Sequence, residues 1–357
     1  MISVAAICAT IFFVSCGGSS TTNDDPTTPT DPTNPTDEPT DEPTNPTDST
    51  EPTEPADPTN PTDSTDPTNP TDEPTDEPTT PTDPTEPTNG PENCELSELE
   101  REFVGTWAQK IILRSKSSTT MAKNVPSVTT RYVVTEIKPN ADCKLDFFKK
   151  GNRICRTDNR TGDSSLNKGV VGFNEPNSKF NTVFHHWKPA DLPGHEGEPY
   201  LEIAEEGGEK TFKLNRDWEL RGANMTDPST ETMISDKSDS RIFDHDEDGN
   251  AAFTITFNGF VSGPLYYVQR LNHVFTGKVV SEGRIEGNVK WDDEQFAHPD
   301  TPNVTLRGQK TTDTDETKSV FQLVKVDDSM DCETLLQKAD NGEIFDIADP
   351  NTDVPLG

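Results

Sequence analysis

The sequence predicts an all-β fold, an antiparallel barrel or sandwich with short terminal helices, preceded by a disordered linker. In residues 94–357, apolar residues alternate with polar ones in many short runs, and glycine-containing turns separate the runs. Alternation with period two places apolar side chains on one face of a strand, and tight turns join neighbouring strands antiparallel. The Thr, Pro and Asp-rich composition of residues 17–93 predicts a segment that cannot build a core.

The chain opens with an apolar segment that ends in Phe13-Val14-Ser15-Cys16. Residues 2–14 are fewer than the roughly 20 that a membrane-spanning helix needs, so we predict a processed signal and not a span. A small residue before a cysteine at this place resembles the lipobox of bacterial lipoproteins. The resemblance implies a signal peptide over residues 1–15, lipidation of Cys16 and anchoring in the outer membrane of a Gram-negative envelope, periplasmic or surface-exposed. An ordinary signal peptide is the alternative.

Residues 16–93 are predicted to be the lipid anchor and an extended stalk. They contain 19 of the 31 prolines and 20 of the 65 acidic residues, and they contain no lysine or arginine. Charge repulsion and polyproline II preference both extend such a chain. At about 3.1 Å per residue, the stalk would reach on the order of 200 Å.

A β-rich globular domain is predicted over residues 94–357, which are long enough to bury a core. This part is acidic as well, because it carries −14 of the total charge of −34. A surface of this sign repels phosphate groups, so we expect no nucleic acid partner. Divalent cations and cationic ligands remain compatible with it.

Period-two runs in the first half of this domain predict six strands. The runs are Trp107–Leu113, Tyr132–Ile137, Cys143–Phe148, Thr182–Trp187, Tyr200–Ala204 and Thr211–Leu214. In the second half, four runs joined by Asn/Gly, Ser/Gly/Pro and Glu/Gly turns predict an antiparallel meander. These runs are Ala252–Phe257, Leu265–Arg270, His273–Val280 and Arg284–Trp291.

Helical periodicity occurs only near the two ends of the domain, in Leu96–Phe103 and Cys332–Ala339, with Asp331 as the expected N-cap of the second helix. The segments Ser115–Val128, Ser164–Lys168 and Asn224–Ser240 are rich in Ser, Thr, Asn and Asp. We predict that they are loops long enough to carry function.

Four cysteines remain outside the N-terminal segment, and their number suits disulfides in an oxidising compartment. They are Cys94, Cys143, Cys155 and Cys332. Three pairings are open. We expect a cross-strand bridge between Cys143 and Cys155 around a turn at Lys150-Gly151-Asn152, and a second bridge from Cys94 to Cys332. A thiolate metal site is the competing interpretation, but no C-x-x-C spacing supports it.

The strongest chemical motif is the acidic segment Asp244–Asn250, which resembles the first half of an EF-hand calcium loop. The resemblance implies calcium as cofactor, held by carboxylates of Asp244, Asp246 and Asp248 and by the Asn250 carbonyl. Position 12 is Ile255, where an EF-hand carries a bidentate Glu, and a strand is predicted there in place of a helix. We therefore expect a structural calcium loop completed by an outside carboxylate, Asp236 or Asp239. A solvated acidic turn is the alternative.

The segment Phe103-Val104-Gly105-Thr106-Trp107 places Gly-x-Trp at the start of the first predicted strand. It resembles the opening of lipocalin-type barrels, which implies Trp107 beneath a cavity for a small apolar ligand and Arg307 as the candidate for the family's later arginine. Further segments, from the acidic loop through Leu265–Arg270, then Gly283–Trp291 and Ser319–Cys332, resemble lipoproteins of Gram-negative bacteria to which we can assign no activity.

The sequence contains short matches to catalytic motifs, but the residues around them do not support catalysis. Gly162-Asp163-Ser164-Ser165-Leu166 has the letters of a hydrolase nucleophile block, but no apolar strand precedes it and no Asp-x-x-His follows it. His185 and His186 fall in a predicted strand, where neighbours face opposite sides, so they cannot chelate one ion. We predict a surface-tethered binding module for a small apolar ligand or an extracellular polymer. A secreted hydrolase and a structural or adhesion protein of the envelope are the alternatives.

Overall fold

A computed structural model describes residues 94–119, 122–162, 170–171, 175–195, 197–258 and 262–354. The predicted signal peptide, Cys16 and the stalk lie outside these residues, as do Ser164 and Ser165. No helix in the described part of the chain is both long enough and apolar enough to cross a bilayer.

The structure confirms the predicted all-β fold. The strands of the described part are β1 Gly105–Ser118, β2 Val125–Pro139, β3 Leu145–Lys149, β4 Arg156–Thr161, β5 Val170–Val171, β6 His185–Trp187, β7 Leu201–Glu206, β8 Glu209–Arg221, β9 Phe253–Phe257, β10 Gly263–Ser281, β11 Arg284–Ala297, β12 Gln309–Thr312 and β13 Val320–Val326. The helices are α1 Glu98–Phe103, α2 Lys179–Thr182 and α3 Cys332–Asp340. Single 3₁₀ turns occur at Lys150–Asn152, Pro189–Asp191, Val304–Leu306 and Glu316–Lys318.

Both terminal helices begin at side-chain caps. Ser97 and Glu100 form a reciprocal capping box at α1, and the Asp331 carboxylate accepts the Thr334 N–H at α3, as predicted. These bonds satisfy backbone donors that a helix leaves free at its first turn. Local sequence therefore sets the start of each helix.

The strands form one antiparallel sheet with the order β3-β2-β1-β13-β11-β10-β8-β6, and the shorter strands pair along its length. The sheet curls until its two ends meet, because the Phe147 ring on β3 lies 6.2 Å from the Phe212 ring on β8. Lys149 Nζ likewise lies 3.0 Å from an Asp217 carboxylate oxygen. The result is a single curled sheet around one interior, closer to the predicted barrel than to a two-sheet sandwich.

Several predicted boundaries differ from the structure. The two runs Leu265–Arg270 and His273–Val280 are one strand, β10, because β11 and β8 pair with it on both sides without interruption at Asn272. The predicted loop Ser115–Val128 is largely strand, since β1 extends to Ser118 and β2 starts at Val125. Its Ser115 and Ser127 are fully buried yet hydrogen-bonded, so burial there leaves no apolar pattern.

Four strands were not predicted: β4, β5, β12 and β13, the last of which lies between β1 and β11. Its Phe321 and Leu323 are fully buried in the interior. Conversely, the predicted strand Thr182–Trp187 is a strand only from His185, since Thr182 closes α2. The alternation in Val320–Val326 would have revealed the central strand.

The sheet buries both of its faces over β1 and β2. Trp107 and Ile111 point into the interior, whereas Ala108 and Ile112 point outward. Helix α3 covers the outer face through Leu335 and other apolar residues. Burial on both faces explains why three successive residues of β1, Ile111, Ile112 and Leu113, are all apolar.

All four predicted cysteines form disulfides, but the expected pairing is wrong. Cys94 bonds Cys143, and Cys155 bonds Cys332. The reason is that β3 and β4 do not pair with each other: both pair with β2, one after the other along its length. Cys143 and Cys155 therefore do not face each other across a hairpin, and Cys155 instead ties the sheet to α3.

Candidate functional site

The predicted calcium loop lies on a long excursion between β8 and β9. The chain leaves β8 at Gly222, whose φ is +73° and where a Cβ atom would approach the Tyr267 carbonyl oxygen to 2.5 Å, so only glycine fits. Met225, Ile234 and Ala252 of the excursion then pack on the outer face of β8 and β10. This apolar contact fixes the acidic loop against the sheet.

The loop folds back on its first carboxylate. Asp244 accepts hydrogen bonds from the backbone N–H groups of Asp248, at 3.1 Å, and Gly249, at 2.7 Å. Gly249 has φ of +86°, a conformation that glycine adopts without steric cost. The Asn250 N–H donates to the Asp248 carboxylate at 2.9 Å, which tightens the same turn. The predicted sharp turn is thus formed.

Three carboxylates of this loop converge. Asp244, Asp246 and Asp248 each offer one oxygen, and the three oxygens lie within 4.8 Å of one another. Asp246 is only 5% exposed. Its Oδ2 accepts the Thr254 N–H at 3.3 Å, whereas its Oδ1 is buried and has no hydrogen-bond partner among the described residues. The group could therefore hold a metal ion.

Charge repulsion is concentrated at Asp246. Burial, and then the carboxylates of Asp248 and Asp244, raise the pKa of Asp246 above its usual range. The Lys179 ammonium of α2 donates to the Asp246 carbonyl oxygen at 2.7 Å. A bound cation would relieve the repulsion among the carboxylates, and Lys179 would oppose it.

The expected outside carboxylates do not take part. Asp236 accepts the N–H and hydroxyl of Ser238, and Asp239 forms an ion pair with Arg241 at 2.7 Å. Neither belongs to the converging group. Ile255 is buried in β9 and supplies no ligand. The described residues thus give this site three carboxylate ligands from the loop itself.

A second group of possible metal ligands lies in the interior and was not predicted. It consists of Asp217, Glu219 and His273, all of them buried, with ligand atoms within 4.8 Å of one another. A β-bulge between Leu214 and Asp217 creates it, because β8 has one residue more than β10 there. The extra residue shifts the alternation, so Leu214 and Asp217 both face inward.

Cations already compensate these buried carboxylates. Lys149 Nζ lies 3.0 Å from Asp217 and 3.3 Å from Glu219, and Arg131 Nη1 lies 3.1 Å from Glu219. Burial alone would raise the pKa of Asp217, but Lys149 and then His186, which contacts its carboxylate, hold it well below its usual range. Tyr200 also donates to Asp217 at 2.9 Å. The cluster is a buried ion network.

His185 and His186 face opposite sides of β6, as predicted. His186 contacts Asp217 inside the sheet, whereas the His185 ring packs against the His245 ring with centroids 4.5 Å apart. Both side chains are half-buried.

The interior is filled by side chains around Trp107. Trp107 is 2% exposed, and its indole N–H donates to the Phe103 carbonyl at 2.8 Å. Lys325, and not Arg307, lies over its ring, at 5.7 Å, while Arg307 donates to the Thr301 carbonyl. The apolar half of the interior is packed by residues that include Phe212, Leu214, Phe275, Phe321 and Leu323.

An open cleft of about 1000 Å³ lies at the Trp107 end of the sheet. The tips of the β7–β8 and β10–β11 hairpins and the end of α1 form its walls. Its lining mixes apolar Phe103 and Val280 with charged Glu102, Lys210 and Lys325. Val280 is 46% exposed, which is unusual for a large apolar side chain in this domain.

Comparison of the chain with protein-family models, curated proteins and solved structures finds no match.

Proposed function

We propose that this chain is a lipid-anchored protein of the bacterial envelope whose β domain binds extracellular polymers. In this proposal, the Asp244–Asn250 loop is a structural calcium site that holds the excursion on the sheet. Two observations on one side chain carry it: Asp246 Oδ1 is buried and has no partner in the described structure, and one oxygen of the same carboxylate lies within 4.8 Å of oxygens of Asp244 and Asp248.

Calcium fits this donor set better than the other common cations. The converging ligands are all carboxylate oxygens, which suit calcium and magnesium and not the softer transition metals. Magnesium demands near-ideal octahedral geometry, whereas calcium accepts irregular shells of 6–8 oxygens completed by backbone carbonyls and water. A loop with three carboxylates and no bidentate Glu supports weak binding, of the kind found in extracellular modules.

The packing supports a polymer ligand over a small apolar one. The interior has no apolar space of ligand size in the described residues, because aromatic side chains fill one half and the ion network fills the other. The 1000 Å³ cleft is open and lined by both apolar and charged groups, which suits an extended polar chain. The secreted-hydrolase alternative has no comparable support.

Tethering rests on the N-terminal sequence and on the disulfides. Two disulfides indicate a non-reducing compartment, which agrees with export from the cytoplasm. A lipidated Cys16 followed by the stalk would place the domain well away from the membrane. Replacement of Cys16 by Ala in the full chain should move the protein from the detergent phase to the aqueous phase in a phase-partition assay.

Thermal unfolding of the full chain tests the calcium site. At a calcium concentration 100 times the Kd, binding stabilises the folded state by about 2.7 kcal/mol, which is on the order of 5–10 °C in Tm for a domain of this size. Asp246→Asn should abolish the shift between calcium and chelator. Asp236→Asn is the matched control, because Asp236 lies on the same excursion but outside the converging carboxylates, and it should keep the shift.

The outcomes separate the parts of the proposal. An equal shift with magnesium would reassign the ion, and no shift at millimolar calcium would remove the metal site. Pull-down on insoluble cell-wall polysaccharides, with calcium and with chelator, tests the polymer ligand. Binding by the wild type that survives Asp246→Asn would show that the polymer site does not depend on the loop.

A further inference from the structure

A small cavity lies inside the curled sheet where the ion network meets the apolar half. Its volume is about 10 Å³, and its polar walls include Gln109, Arg131, Asp217, Glu219 and His273. A cavity of roughly 10–15 Å³ is just large enough for one water molecule, provided that polar partners surround it. Both conditions are met here.

Two residues on the cavity wall carry buried polar atoms without a hydrogen-bond partner in the described structure. These atoms are Arg131 Nε and both ring nitrogens of His273. Arg131 is 3% exposed and His273 is 1% exposed, so bulk water does not satisfy them. An unsatisfied buried polar group costs about 1–3 kcal/mol, and native proteins rarely leave such groups without a partner.

A metal ion is the wrong occupant, although Asp217, Glu219 and His273 have suitable ligand atoms. Lys149 lies between the two carboxylates, and Arg131 binds Glu219. With Arg221, which also approaches Glu219, three cationic side chains already face two carboxylates. A divalent cation would add to a positive excess in a buried site, where charge repulsion is poorly screened.

We infer that this cavity is a binding site for one ordered water molecule, which hydrogen-bonds to His273 and Arg131. The Arg131 Nε–H can only donate, so the water accepts from it. A neutral imidazole offers one donor and one acceptor, so the water can serve either ring nitrogen of His273. The remaining water hydrogen can be donated to a neighbouring carboxylate, which links the cationic and anionic sides of the network.

The water also explains why a histidine is tolerated at this position. His273 packs parallel to the Trp291 indole, with ring centroids 6.3 Å apart, and it lies next to Phe275 on the inner face of β10. An apolar residue would suit these neighbours. The polar side of the ring then needs a partner, and the cavity supplies space for one.

NMR of the full chain with isotopically labelled histidine tests the inference. We expect a nuclear Overhauser cross-peak between water and the His273 ring C–H protons. Its sign should be that of a water molecule that tumbles with the protein and not that of bulk water. His273→Phe should abolish this cross-peak, which assigns it to His273. His273→Gln is the second variant if the larger ring fails to fold.

Two results would overturn the inference. Absence of a water cross-peak in a folded wild-type sample would show a dry cavity. A shift of the His273 resonances on addition of zinc chloride, with loss of the water signal, would show that the cluster binds a metal after all.

Discussion

The buried His273 predicts a specific acid sensitivity of the fold. Burial, opposed by the neighbouring Glu219 carboxylate, lowers the pKa of His273 from 6.5 to about 4. Unfolding restores the ordinary pKa of His273. Between pH 6.5 and 4, its imidazole is therefore protonated in the unfolded chain and neutral in the folded protein. The contribution of His273 to stability is therefore lost as the pH falls through this window and does not change further below pH 4.

The magnitude follows from the difference between the two pKa values. One unit corresponds to about 1.4 kcal/mol, so the full window is worth about 3 kcal/mol at most. At pH 4.5 the solution is still above the folded-state pKa, so only part of this energy is lost. The free energy of unfolding should fall by about 2 kcal/mol between pH 7 and pH 4.5 through His273 alone. His273→Gln cannot titrate and should lose this part of the pH dependence.

Urea unfolding of the full chain at pH 7, 5.5 and 4.5 measures the effect as the difference between wild type and variant. The pKa of His245 is also lowered to about 4, first by burial and then by His185. His245→Gln should therefore reduce the pH dependence as well, and it serves as a second test of the same linkage. Parallel pH curves for wild type and His273→Gln would refute the reasoning.

Three further predictions concern covalent, cation and ion-pair contacts. The Cys155–Cys332 bond spans 177 residues and the Cys94–Cys143 bond spans 49. Loop entropy therefore predicts that replacing both cysteines of a bond by serine lowers the free energy of unfolding by about 5 kcal/mol for the first bond and about 4 kcal/mol for the second. Denaturant midpoints of the two double variants test this order, and peptide mapping tests the pairing. Lys179→Met should tighten calcium binding about tenfold by calorimetry, since it removes a cation that contacts the acidic loop, while Lys179→Arg should not. Glu219→Gln should destabilise the protein by about 3–5 kcal/mol in urea unfolding, since it leaves buried cations without their carboxylate, and a loss below 1 kcal/mol would show that water reaches the network.

The sequence was sufficient for the apolar parts of the fold. The run around Phe212 alternates because Phe212 and Leu214 meet the interior, and β8 is found where period two predicts a strand. The same rule fails at Ser115 and Ser127, which are buried through hydrogen bonds. Alternation reports burial of apolar groups only, so a strand that buries polar groups is read as a loop.

Of the two candidate sites, the sequence alone reveals the acidic loop but not the buried ion network. The three carboxylates of the acidic loop lie at alternate positions within five residues, so local spacing is enough to find Asp244, Asp246 and Asp248. The ion network assembles residues from β2, β3, β8 and β10, and a β-bulge decides that Asp217 faces inward. No spacing in the sequence reveals a bulge in a strand pair whose partners are 56 residues apart, as Asp217 and His273 are.

The position of the acidic loop argues for a local structural role of the cation. The excursion that carries it covers the outer face of β8 and β10 through Met225, Ile234 and Ala252, whereas the interior of the sheet is packed independently by the apolar cluster and the ion network. Loss of the cation should therefore loosen this cover before it affects the strand pairing. Limited proteolysis in chelator should cut first within residues 224–251, while hydrogen exchange in β10 and β11 stays slow. Equal loosening of both regions would mean that the loop and the sheet unfold as one unit, and the cation would then stabilise the whole domain instead of its cover.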